Sequence, residues 1–167
     1  MSIKIPNPVA LTQDLIRFNT INPPGNEDEI CGFLEELLLS AGFECKSVDF
    51  APRRRSLIAR IVGERGGPNI CFTGHVDVVP LGGRSWQYDP FSAQIHDGKL
   101  YGRGSSDMKS GVASMVVAAM KTASQAKAGH GISLIITAGE ETGCEGAFHL
   151  IAQKEVIDYI GTKKQQK

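Results

Sequence analysis

The chain has 167 residues, 41% of them hydrophobic, and its eighteen basic and eighteen acidic side chains cancel to a formal charge of +0. That length supports one domain with a real core. The lack of a basic face excludes an electrostatic nucleic-acid binder, and apolar runs far shorter than a bilayer requires exclude membrane insertion.

The four cysteines form no CxxC pair and no amino-terminal segment has the pattern of a signal peptide, so reduced thiols and a cytoplasmic location are expected. Taken in order, residues Pro8 to Phe18 place Leu11, Leu15 and Phe18 at helical spacing, and INPPGNEDE then reads as a rigid turn. A second helix follows at once. Ile30, Phe33, Leu34, Leu37 and Leu38 give it an apolar face, Glu27, Asp28 and Glu29 suit its positive end, and Gly42 suits its stop.

Three strands are expected next, over Glu44 to Phe50, Ser56 to Val62 and Asn69 to Gly74. The arginines Arg53 to Arg55 after Pro52 read as a solvated loop. GERGGP reads as a hairpin-like connection, which pairs the second and third strands antiparallel. The third strand is short and apolar and ends in Gly74, the pattern of a central buried strand. His75 and Asp77 come directly after it, two residues apart. On an extended backbone their side chains share one side, where an Asp carboxylate orients an imidazole. Without Asp77, the simplest reading of His75 is a hydrogen-bonded structural residue. Val78, Val79 and Pro80 then take the chain out of the sheet.

Leu81 to Asp97 is loop-like, with Trp86, Tyr88 and Phe91 packing it onto the domain; His96 reads as a turn residue with no metal role, and Lys99 to Tyr101 as a short strand. GRGSSDMKSG has the glycines of a phosphate loop but the spacing of neither a Walker loop nor a dinucleotide fingerprint. Asp107 directly precedes a helix expected from Lys109 to about Ala126, with Val112, Met115, Val116, Ala119 and Met120 as its buried stripe. Taken alone, Asp107 is most simply that helix's N-cap.

The strand Ile132 to Ala138 ends in GEETGCEG, which sets Glu140 and Glu141 side by side. Adjacent ionised carboxylates at a strand end call for a cation, a shared proton or open solvent. A last helix runs from about Glu145 through Val156 with Phe148, Leu150 and Ile151, and carries His149 as a packing or surface residue. The order of strands and helices argues for an α/β sheet with helices on its faces, whose sites lie beyond the carboxyl ends of strands. His75, Asp107 and Glu141 each follow an expected strand, and such a donor set suits zinc or a similar divalent ion.

HVDVVP, the W-x-x-D-P-F segment Trp86 to Phe91, DGKLYGRGSSDMKSG and GEETGCEG, in this order, resemble the zinc-dependent deacylase family of succinyl-diaminopimelate desuccinylase and acetylornithine deacetylase. Related carboxypeptidases and aminoacylases share its catalytic domain. The resemblance runs from near the amino terminus to about residue 155 and implies a central mixed, mostly parallel sheet with helices on both faces. It implies that His75 binds one metal, Asp107 bridges two, and Glu141 binds the other. Asp77 then orients His75, Glu140 is the general base, and the Asp107 to Met108 peptide is cis.

The activity implied is hydrolysis of the amide bond of a small N-acyl amino acid, with two Zn2+ in the complete site, Co2+ as a possible substitute, and a homodimer for the complete family. GEE, rather than DEE, points toward an acetylornithine deacetylase-like or unassigned member. The family continues well beyond this length, with further ligands and a lid and dimerisation domain that have no place here. Residues 1–160 are therefore expected to be a partial, truncated catalytic domain and 161–167 a polar tail, with an exposed sheet edge or apolar face that favours self-association. The alternatives are an inactive metal-binding fragment and a carboxypeptidase or dipeptidase of the same family.

Overall fold

A computed structural model describes residues 4–66 and 69–153. Helix α1 (Pro8–Arg17) starts at Asn7, whose side chain accepts the Val9 N–H, and Pro8 occupies the first turn, where a missing donor costs nothing. It buries Leu11, Leu15 and Ile16. After two cis prolyl bonds at Pro23 and Pro24, α2 (Glu27–Ser40) buries Ile30, Cys31, Leu34 and Leu38. Strands β1 (Glu44–Ala51) and β2 (Arg54–Val62) form an antiparallel hairpin, and β3 (Ile70–His75) follows.

A small ribbon of β4 (Ile95–His96) and β5 (Lys99–Leu100) precedes α3 (Lys109–Lys121), α4 (Ala123–Ala128), β6 (Gly131–Thr137) and α5 (Glu145–Ala152). The single helix expected up to Ala126 breaks at Thr122, whose hydroxyl bonds the Ala118 carbonyl, a contact that bends helices. The expected end of the last helix at Val156 and the polar tail 161–167 lie outside the described residues.

The main sheet is mixed, with strand order β1-β2-β6-β3, and helices cover both its faces. Leu57, Ala59 and Ile61 of β2 and Ile132, Leu134 and Ile136 of β6 face a core shared with α1, α2 and α3. The alternate residues Ile58 and Ile135 meet Val48 and Leu150 on the other face, beneath α5. Each fully buried Leu or Ile contributes about 1.5–3 kcal/mol, so this layer holds the strand ends rigid.

Three expectations are corrected. The second and third strands do not pair, because β6 lies between them, antiparallel to β2 and parallel to β3. Of the described strand pairs within this sheet only β3 with β6 is parallel, so the sheet is mixed without being mostly parallel. Among the described residues β3 therefore has β6 as its one neighbour, at the edge of the sheet and not at its centre, and Ile70 on it is 64% exposed.

The arginine run is also no solvated loop. Only Arg53 sits in the hairpin turn, with φ 61. Arg54 and Arg55 begin β2, where Arg55 pairs with Asp49 and Arg54, 12% exposed, pairs with the buried Glu27 at 2.8 Å. The hairpin brings these cations against α2 and β1, and a buried carboxylate needs such a partner.

Candidate metal centre

The parallel register sets His75 opposite Thr137, so β3 and β6 end side by side. Beyond those ends the Val76 N–H donates to the Thr137 carbonyl at 3.1 Å. The chain leaves the sheet after His75, before Val78, and is then held by a second segment. Val78 forms a parallel bridge with Ile21, its N–H donates to Thr20 O, and its carbonyl accepts the Asn22 N–H. Ile21 and Asn22, which the sequence offered only as the start of a turn, and Thr20 before them thus form a wall of the site.

His75 is buried, and its Nδ1 lies 3.1 Å from the backbone carbonyl of Asp77 and 3.5 Å from the Asp77 carboxylate. Its Nε2 faces Asp107 Oδ1 at 3.2 Å and Glu140 Oε2 at 3.8 Å. The Asp77 carboxylate, fully buried, accepts the backbone N–H of Glu140 at 3.1 Å and of Glu141 at 3.0 Å, together with the Asn22 amide at 2.9 Å. Asp77 therefore ties the histidine's strand to the glutamate turn, a larger role than the imidazole contact that the His75, Asp77 spacing suggested.

Burial opposes the charge of Asp77, but its hydrogen bonds from His75, Asn22 and the two amides outweigh burial and hold its pKa down to about 2. Burial likewise disfavours charge on His75, yet the adjoining Asp77 carboxylate, with Glu140, raises its pKa to about 9. The Glu141 pKa is raised, first by burial and then by the charges of Asp107, Asp77 and Glu140, which His75 opposes.

Asp107 is not an N-cap. The cap position of α3 is Met108, with no side-chain capping bond, and the Lys109 N–H is already taken by the Gly104 carbonyl at 2.9 Å. The Asp107–Met108 peptide is cis, and the Asp107 carboxylate is 79% exposed beside His75.

One ligand atom from each of His75, Asp107 and Glu141 lies within 4.8 Å of the others. An imidazole nitrogen converging with two carboxylates, one of them pushed toward its proton by burial and then by neighbouring carboxylates, is a donor set that fits a divalent cation. Glu140, 44% exposed, stands at the rim with its carboxylate free of any hydrogen-bonded ion pair to an arginine or lysine among the described residues. His96 lies away from this centre, stacked on Tyr88 at 4.2 Å between ring centroids.

Sequence reasoning missed Asn22 and Lys109. Lys109 is fully buried and its Nζ donates to the Phe18 carbonyl at 2.8 Å; burial lowers its pKa to about 7 against the pull of Asp77. Neither residue stands near the glutamates in sequence, and no local pattern marks a buried amide or ammonium.

No helix among the described residues is long and apolar enough to cross a membrane. Succinyl-diaminopimelate desuccinylase of Wolbachia pipientis is 38% identical over 162 residues, covering 96% of this chain and 38% of the relative. That relative lies on the desuccinylase side, not the side toward which GEE pointed. The chain thus spans well under half the length of this curated relative.

A metallo-carboxypeptidase of the M20 family from Sulfolobus solfataricus shares the fold, with a TM-score of 0.80 at 20% identity over 94% of this chain and 36% of that one. A dinuclear metal-binding M20 peptidase of Bacillus subtilis superposes with a TM-score of 0.60 at 19% identity over 87% of this chain and 38% of that one. Residues 71–165, more than half of the chain, match the family described as Peptidase family M20/M25/M40, and to that family the chain belongs.

Proposed function

We propose that this chain carries the metal-binding part of a zinc-dependent hydrolase that cleaves the amide bond of a small N-acyl amino acid, of the desuccinylase or deacetylase type. The observation that carries this reading is the convergence of His75, Asp107 and Glu141 ligand atoms within 4.8 Å, with Glu140 beside them. The desuccinylase relative supports the acyl amino acid as substrate class. In this reading residues 1–160 are a partial catalytic domain.

His75, Asp107 and Glu141 would hold a divalent cation, which would supply positive charge to acidify water and polarise an acyl carbonyl. Glu140 accepts the proton of the attacking water, the new carbon–oxygen bond displaces the amine, and Glu140 returns that proton to the departing nitrogen. The products are a carboxylic acid and a free amine. His75 keeps Nε2 toward the cation because Nδ1 is directed at the Asp77 carbonyl, 3.1 Å away. Asp77 keeps Glu140 and Glu141 in place through their backbone amides.

Metal content of the zinc-loaded chain, measured with hydrolysis of N-succinyl-diaminopimelate and N-acetylornithine in the same preparation, tests this. Bound zinc with turnover upholds the reading. A chain that takes up no zinc and hydrolyses neither compound sinks it. A second reading, a portion that binds one metal without turnover, is favoured by a single observation. The described residues converge on one group of three ligands.

A further inference from the structure

The glutamate turn is held from a direction that neither the metal ligands nor the general base occupies. Asn22, 2% exposed, donates from one side-chain amide to two acceptors, Asp77 Oδ2 at 2.9 Å and Thr142 Oγ1 at 2.9 Å. The Thr142 hydroxyl passes its own proton onward to Glu145 Oε2 at 3.0 Å. Glu145 Oε2 also lies 3.4 Å from Arg54 Nη2, and Arg54 Nε is held by the buried Glu27 at 2.8 Å. Every donor in this chain of bonds faces an acceptor, so its direction has no ambiguity: Asn22 gives to both Asp77 and Thr142, and Thr142 and Arg54 both give to Glu145.

The geometry around the turn depends on this path. Gly139 has φ 71, and a Cβ there would lie 2.9 Å from Arg54 Nη2, so the guanidinium packs directly under the start of the turn. At Gly25 a Cβ would overlap the same guanidinium, which places the prolyl turn on its other side. The turn closes on itself through the Glu140 carbonyl, which accepts the N–H groups of Gly143 and Cys144 at 3.0 Å each. Asp77 holds the backbone at 140 and 141, and Asn22 holds residue 142, the next along. Three consecutive residues are thus tied to one buried amide and one buried carboxylate.

We propose that Asn22 and Thr142 form a clasp that positions the Glu140–Glu141 turn, with Asn22 a positioning residue for both the metal ligand Glu141 and the proton acceptor Glu140. The roles of those two glutamates rest on the functional reading above; the clasp itself rests on the hydrogen bonds. Through Asn22, the prolyl turn near the amino terminus determines where a ligand 119 positions later in the chain is held. Loss of the clasp frees the turn at residue 142 and removes one donor from Asp77, without touching a ligand atom.

The test compares the full chain with Thr142→Val, Thr142→Ser and Asn22→Ala, using Co2+ alone as the probe and, separately, hydrogen exchange of the Glu140 and Glu141 amides in metal-free protein. Thr142 is exposed, so the isosteric valine removes the hydroxyl without opening the core. Thr142→Val is expected to speed exchange at both amides, to weaken Co2+ binding about tenfold, and to alter its visible spectrum. Thr142→Ser restores all three, which a purely bulk role of the side chain would not predict.

Unchanged exchange and unchanged Co2+ affinity in Thr142→Val overturn the clasp. If the unsubstituted chain takes up no Co2+ while exchange still responds to Thr142→Val and is rescued by serine, the clasp stands as a positioning device and the metal-centre reading falls. Asn22→Ala is expected to exceed Thr142→Val in both readouts because it severs both bonds of the clasp, and the reverse order overturns the assignment of Asn22.

Discussion

The carboxylate of Asp77 accepts the backbone N–H of Glu141 at 3.0 Å, so the segment after β3 holds the turn after β6. Two side-by-side strand ends are thereby locked together by an ion that is itself buried.

Asp77→Asn replaces that acceptor with a neutral amide and leaves at least one of its donors without a charged partner. Hydrogen bonds to charged groups are worth about 1.5–3 kcal/mol, so the expected loss of stability is about 2–4 kcal/mol. Urea unfolding measures it, and a parallel Co2+ titration is expected to show about tenfold weaker binding. A variant as stable as the parent would mean that Asp77 is not the tie between the strand ends.

Glu140→Gln and His75→Ala separate proton transfer from metal binding. The glutamine variant keeps the shape of the site and is expected to retain metal while losing turnover by about 100-fold or more. The alanine variant removes a proposed ligand and is expected to lose metal affinity on the order of 100-fold. Metal analysis after gel filtration distinguishes them, and equal metal loss in both would refute the division of roles.

Metal uptake is expected to depend on pH through His75. In the metal-free site its pKa is raised to about 9, chiefly by Asp77 against the effect of burial, so at neutral pH the imidazole carries a proton that a cation must displace. Raising the pH removes the competing proton. Apparent Co2+ affinity is therefore expected to climb by about tenfold per pH unit up to about pH 9 and then to level off. Titrations in buffers of different ionisation enthalpy count the proton released, and affinity independent of pH between about 6.5 and 8.5 would contradict the assignment.

The free side of β3 predicts self-association. Ile70 is 64% exposed on a strand whose only described neighbour is β6, and Val62 at the end of β2 is 54% exposed. An open apolar edge pairs readily with another chain, and an inserted charge opposes this. Ile70→Lys is expected to shift sedimentation profiles toward monomer at matched concentration. No shift would locate the contact elsewhere.

Much of the site was legible before any coordinates. Apolar runs ending in Gly74 and Ala138 announced strands, and His75 and Glu141 just past them converge, joined by Asp107 from the loop before α3. Local pattern has this reach because a strand's apolar period and its end are set by adjacent residues. The cap reading of Asp107 was decided otherwise by the fold. Capping depends on where the neighbouring backbone donors go, and the Gly104 carbonyl had taken the one at Lys109.

By itself the sequence determined the α/β class, the helical character of four segments, the polar residues just past the apolar runs and the family. Only the tertiary structure decided that β6 lies between β2 and β3, that Arg54 is buried against Glu27, and that Asn22 reaches both Asp77 and Thr142. The physical reason is common to all three. Strand order and buried polar pairing are settled by which surfaces exclude water together, between residues far apart in the chain, and no periodicity within one segment records its distant partner.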